Sequence, residues 1–194
     1  VGANYADNSF SVINIICQLC AIPGIAVGNA LAKRFGKRDV FRSWLIIAGI
    51  MAALFFVVPP SGIWAILILS ILFNFSWGVT MPLPWAMMAD VADYSEWKFN
   101  RRATGIVFAG IVVGLKVGLA VGGALAGWLL NGYGYVANVA QTATAVQGIR
   151  LSVSIFPVIA LVFCVVALFR YDIGKKVEYQ MQDELAERRK AYTE

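Results

Sequence analysis

The chain has 194 residues, of which 60% are hydrophobic and 14% charged, whereas soluble domains run nearer ~45–50% and ~25%. That balance, with several long apolar runs, excludes an ordinary soluble domain and indicates an all-α, polytopic membrane helix bundle. The absence of histidine removes histidine-based general bases, proton relays and metal sites, and the net charge of +5 is no sign of nucleic-acid binding, because the basic residues lie beside apolar spans.

The first ten residues, VGANYADNSF, have no basic segment of a signal peptide and no initiator Met, so the chain is expected to belong to something larger. The first predicted span covers residues 8–32. Asn14 and Gln18 break its polarity, and Pro23 and Gly24 predict a kink. It runs into a basic loop, Lys33-Arg34-Phe35-Gly36-Lys37-Arg38. The second span, 41–58, is closed by the turn signal Pro59-Pro60-Ser61-Gly62. The third, 63–88, carries Asn74, Ser76, Trp77, Pro82 and Pro84 in its second half, and Asn74 is expected to bond a neighbouring helix. A polar stretch follows, Ala89–Arg102, then the fourth span at 103–130, a polar loop and the fifth span at 148–169. Residues 1–170 therefore form the transmembrane part and 171–194 a charged tail. In that tail a helix from Lys175 to Lys190 would align Val177, Met181 and Leu185 and lie on the membrane or on cytoplasmic loops. Cys17, Cys20 and Cys164 read as small apolar fillers, and no metal site is expected.

Fourteen of the sixteen Lys and Arg residues fall after spans one, three and five, on one side of the membrane if the spans alternate. That side is predicted to be cytoplasmic, with the start of the chain outside and its end inside. The exceptions are Arg150 and Lys116. Lys116 is nearly central in a run of 28 residues with no other charge. A mid-bilayer ammonium costs at least ~2.5–3.5 kcal/mol, and Lys116 is too far from either helix end to snorkel. It should therefore face protein or a water-filled cavity. Small residues flank it on its own helical face, while Gly110, Gly114, Gly118 and Gly122 form a ridge opposite, which predicts close approach by a neighbouring helix.

The stretch after span three places Asp90, Asp93 and Glu96 one turn apart, followed by Lys98, Arg101 and Arg102. Spacing alone leaves two readings: a solvated loop, or exchangeable ion pairs that latch one conformation.

The pattern Asp90-x-x-Asp93-Tyr94-x-Glu96-Trp97-Lys98, followed by Arg102 and a helix with Lys116 before Gly118, resembles the glycoside–pentoside–hexuronide:cation symporters. The Lys33–Arg38 loop, the Gly132-Tyr133 to Gln141 loop and Gln147-Gly148 fit as well. Ser95 and Asn100 stand where the family usually has glycine, and Ile111 and Val112 are apolar where the melibiose carrier is polar. The resemblance implies a major facilitator superfamily fold, with these five spans matching helices eight to twelve of a carrier in the bacterial cytoplasmic membrane. It implies cation-coupled symport of a sugar or sugar derivative by alternating access. It also implies a Na⁺ or H⁺ site in an N-terminal half outside this chain, which would be a partner of this one alongside cargo, cation and bilayer, and no bound cofactor. By the same resemblance, Lys116 is the residue of this half nearest the coupling site, and Asp90, Asp93, Glu96, Arg101 and Arg102 form the cytoplasmic latch. Trp77 is a candidate sugar-stacking residue; Trp85 lies nearer the cytoplasmic end. The other readings are a carrier of a lysolipid or other amphiphile, a non-transporting structural subunit, and a membrane enzyme. The last has no catalytic constellation to support it, since the carboxylates lie at the membrane margin.

Overall fold

The computed structural model describes residues 14–59 and 62–191. Among these the architecture is all-α, with five helical segments long and apolar enough to cross a membrane: Asn14–Phe35, Lys37–Val57, Trp64–Phe99, Thr104–Gly132 and Ala143–Leu168. The predicted residues 8–13 of the first span lie outside the described residues. Eight helices are named below: α1 (Ala21–Phe35), α2 (Lys37–Val57), α3 (Ile63–Thr80), α4 (Leu83–Phe99), α5 (Thr104–Gly132), α6 (Ala143–Val153), α7 (Ile155–Leu168) and α8 (Lys175–Ala191).

The breaks within the long segments have local causes. Turn geometry interrupts the first segment at Cys20, three residues before Pro23, whose ring cannot donate and crowds the preceding turn. The third segment bends at Met81–Pro82, with Pro82 and Pro84 opening α4, where missing amide donors cost least. The fifth segment breaks at buried Ser154. Pro157 provides no amide for the turn before it, and the Ser154 hydroxyl donates to the Arg150 carbonyl at 2.6 Å. The corner between α1 and α2 is a single residue, Gly36, at φ +93°, a conformation that side chains other than glycine rarely adopt.

Two sequence expectations are corrected here. The third predicted span, 63–88, does not end where its apolar residues do: α4 carries the helix through most of the polar stretch to Phe99 and ends on Asn100, whose left-handed backbone (φ 52°) lets its amide donate to the Glu96 carbonyl at 2.9 Å. Asn74 does not bond a neighbouring helix but donates to the Ser70 carbonyl of its own helix at 2.9 Å.

The tightest packing in the bundle is between α1 and α3. Gly24 and Gly28 lie against the backbone of Phe75, Gly78 and Val79, so close that a Cβ on Gly28 would sit 2.5 Å from the Val79 carbonyl oxygen. This is the small-xxx-small mode of membrane helix packing. A small core of Val40, Val79 and Leu83 continues it, with Phe41, Trp44 and Phe75 packed around. Helix α2 in turn packs on α3 and α7.

Helix α5 is different. It touches α4 and α6, with Trp85 stacked on Phe108 at 6.5 Å, and none of its residues is buried. The predicted glycine ridge is present, but Gly110, Gly114, Gly118 and Gly122 have no heavy atom within 4 Å of a built Cβ. The neighbouring helix that the ridge was expected to admit is not among the described residues.

Candidate functional site

Two regions carry the candidate chemistry, one at mid-membrane on α5 and one at the basic end of the bundle. Lys116 is exposed, and among the described residues it makes no hydrogen bond or ion pair. At about 1.5 Å per residue, its Cα lies roughly 18 Å and 24 Å from the two ends of α5. The ammonium reaches neither end of the helix. Trp77, on α3, is half exposed (51%) and none of its ring contacts falls on another aromatic of the described residues. The structure does not bring Trp77 and Lys116 together. The three cysteines are unpaired: Cys17 is buried, Cys20 half-buried and Cys164 exposed, and no cluster of potential metal ligands occurs among the described residues.

The basic end is built from three parts of the chain: the α1–α2 corner, the end of α4, and α8. Its hub is Lys37, in sequence one basic residue of the loop after the first span. Its amine donates to both oxygens of Asp90, at 2.6 and 2.8 Å, and lies 2.9 Å from Glu178 Oε1. The Asp90 side chain is almost fully enclosed (6%), with Lys37 and Glu178 partly exposed. Lys175 ties the α8 start to the Arg34 carbonyl at 2.8 Å. Tyr171 donates to the Met87 carbonyl at 3.2 Å. Burial, then the nearby carboxylates Asp90 and Glu178, push its phenol above the ordinary range, so it remains a donor.

One turn further along α4, Arg102 Nη2 is 3.1 Å from Asp93 Oδ1, and Arg102 Nε is 3.7 Å from Glu96. Arg189 of α8 reaches the same two carboxylates, at 3.8 and 2.8 Å. Trp97 Nε1 donates to Glu184 at 2.6 Å, and Arg188 donates to the Trp97 carbonyl and to Asn100 Oδ1. The bond from Trp97 favours the charged carboxylate and holds Glu184 below its ordinary range. That contact is therefore complete at neutral pH and is lost only as acid titrates Glu184 below the usual glutamate value of about 4.3. Met181 and Leu185 are buried and Val177 half-buried, the face along which α8 lies on the bundle.

Asp90 thus belongs to one ion-pair cluster, with Lys37 and Glu178, and Asp93, Glu96 and Arg102 to a second one turn further along α4, with Arg189. Arg101 stands outside both: its side chain is exposed and unpaired among the described residues, and its carbonyl accepts from Ser95 Oγ at 2.8 Å. Lys37, Glu178 and Arg189 are the members missed from the sequence.

The family model for the MFS/sugar transport protein matches residues 3–175, nearly the whole chain. The chain belongs to this family. The family is one of transporters, the five apolar segments make the chain part of a multi-pass membrane protein, and the resemblance to glycoside–cation symporters holds at the level of the family. Among curated relatives, the chain is 29% identical over 186 residues, 95% of its length, to the isoprimeverose transporter of Lactiplantibacillus pentosus. It is 37% identical over 79% of its length to a protein of Escherichia coli provisionally named glycoside/cation symporter YagG. It is 30% identical over 88% of its length to one of Salmonella typhimurium provisionally named sulfoquinovose importer. The chain spans 39%, 32% and 36% of these three relatives respectively.

Proposed function

We propose that the carrier to which this chain contributes is a secondary active transporter, moving a sugar or sugar derivative with a coupling cation by alternating access. The observation that carries the reading is α5. It is a helix of 29 residues whose central residues, Lys116 among them, are uncovered by this chain. A charge so placed is sustainable in a bilayer only against protein or water. Family membership makes the rest of a carrier the natural cover, with Lys116 on the wall of the cargo path and its glycine ridge against another helix. Na⁺ or H⁺ would bind outside the described residues. Trp77 is proposed for cargo contact on exposure alone.

The basic end is proposed to face the cytoplasm, following the charge bias of membrane loops, with the chain end inside. Its network is proposed as a latch. Each ion pair exposed to water contributes only about 0–1 kcal/mol, but several sharing one interface can bias two states a few kcal/mol apart.

Within the sugar class, anionic cargo such as a hexuronide or sulfonated sugar is a second reading, carried by the relative named for sulfoquinovose; a carboxylate or sulfonate would complement an ammonium on the cargo path. The test is Lys116→Ala in the whole carrier, with cation-driven uptake of neutral and anionic sugars measured in vesicles. Loss of accumulation with normal membrane insertion is expected. Near-normal accumulation would overturn the assignment of Lys116.

A further inference from the structure

A cleft of about 390 Å³ opens at the basic end between α1, α4 and α8. Lys33, Lys37 and Lys175 line it, with Glu178 and Tyr179. Lys37 is committed to Asp90 and Glu178, and it offsets much of their negative charge. Lys33 is exposed and makes no bond or ion pair among the described residues. Lys175 uses one donor on the Arg34 carbonyl and lies over the Tyr179 ring at 5.6 Å, which leaves further ammonium protons to offer. The cleft therefore presents two available amines beside a phenol. Its lining also includes Ala32 and Ala86, with buried Leu83, on spanning helices, and the polar Asn29 and Gln182.

We propose that this cleft binds the phosphate headgroup of an anionic phospholipid. A headgroup phosphate would sit between Lys33 and Lys175, with the glycerol and the first acyl carbons against Ala32 and Ala86. Amines and apolar residues of spanning helices in one cleft suit the two chemistries of a lipid, whereas a soluble phosphate would use the amines alone. Basic pockets between spanning helices at the membrane margin have the charge that such headgroups require. The cleft is distinct from the mid-membrane path on α5, and the proposal does not depend on the cargo.

The experiment is native mass spectrometry of the whole carrier released from bilayers of phosphatidylcholine and phosphatidylglycerol, with the ratio of retained lipids as readout. Retained phosphatidylglycerol should be enriched over its bulk share. Each amine near a phosphate is worth about a fivefold change in affinity, so Lys33→Gln should lower the enrichment about fivefold. Lys33→Gln with Lys175→Gln should abolish it. Lys176→Gln removes the same charge one residue outside the cleft lining and should leave the enrichment intact. Unfolding in pure phosphatidylcholine checks that the variants remain folded. Enrichment unchanged in the double variant, or lost equally in Lys176→Gln, would overturn the site. Displacement of phosphatidylglycerol by inorganic phosphate or glycerol 3-phosphate at equal affinity would overturn the lipid as its occupant.

Discussion

Removing the amine at the hub of the basic end should be among the most damaging single changes in the bundle. Lys37→Met keeps the length of the side chain and most of its apolar stem but leaves Asp90 and Glu178 facing each other. Both carboxylates approach the same nitrogen, Asp90 at 2.6 Å and Glu178 at 2.9 Å, so their oxygens are on the order of 5 Å apart. At an effective dielectric of 20, two unit charges at that distance repel by roughly 3 kcal/mol. Breaking a buried pair by removing one partner typically costs ~3–5 kcal/mol. Because Lys37 and Glu178 are partly hydrated, a loss of about 3 kcal/mol is expected. Adding Asp90→Asn removes the stranded charge and should recover more than half of that loss, giving a coupling of about 2 kcal/mol in the double-mutant cycle. The assay is reversible unfolding of the four proteins in one detergent, followed by the mobility of α8 or by tryptophan fluorescence. If Lys37→Met costs less than about 0.5 kcal/mol, or if Asp90→Asn adds to its effect instead of relieving it, the pairing does not stabilise the structure and the reasoning fails.

Gly28→Ala should destabilise the bundle by ~1–3 kcal/mol, because its Cβ meets the Val79 backbone, which cannot rotate away. Gly114→Ala meets nothing among the described residues and should leave the chain's own unfolding within about 0.5 kcal/mol. In the whole carrier it should slow uptake if the ridge is covered there; unchanged transport would count against that cover. Arg102→Gln should shift the balance between the two access states and slow turnover, with cargo affinity changing only as far as the populations move. Loss of cargo binding at an unchanged conformational balance, read by spectroscopic probes on the two faces, would make the network a binding site instead. Glu184→Gln should raise the mobility of α8 in spin-label measurements, since the charge-assisted acceptor of Trp97 Nε1 is lost; an unchanged spectrum would show that Met181 and Leu185 hold the helix unaided.

The membrane class, the presence of five apolar segments and the tail helix were legible in the sequence, because each rests on local composition. A run of apolar residues long enough to cross a bilayer has few alternatives, and an isolated charge such as Lys116 stands out against it. The limits of that reading lie where a residue's role depends on what is far away in the chain. Lys37 looked like one basic residue of a loop, and only the fold sets it against Asp90, 53 residues on, and Glu178. The Ala89–Phe99 segment falls outside the apolar run of the third span because five charged or polar residues interrupt it, yet α4 carries the helix through it and α8 pairs with its carboxylates and Trp97. Two glycine patterns of similar form were present, Gly24-xxx-Gly28 and the ridge of α5. Spacing alone could not rank them, because close packing requires a partner backbone at the right place. Val79 and Gly78 provide one for the first pair, and among the described residues nothing does so for the second.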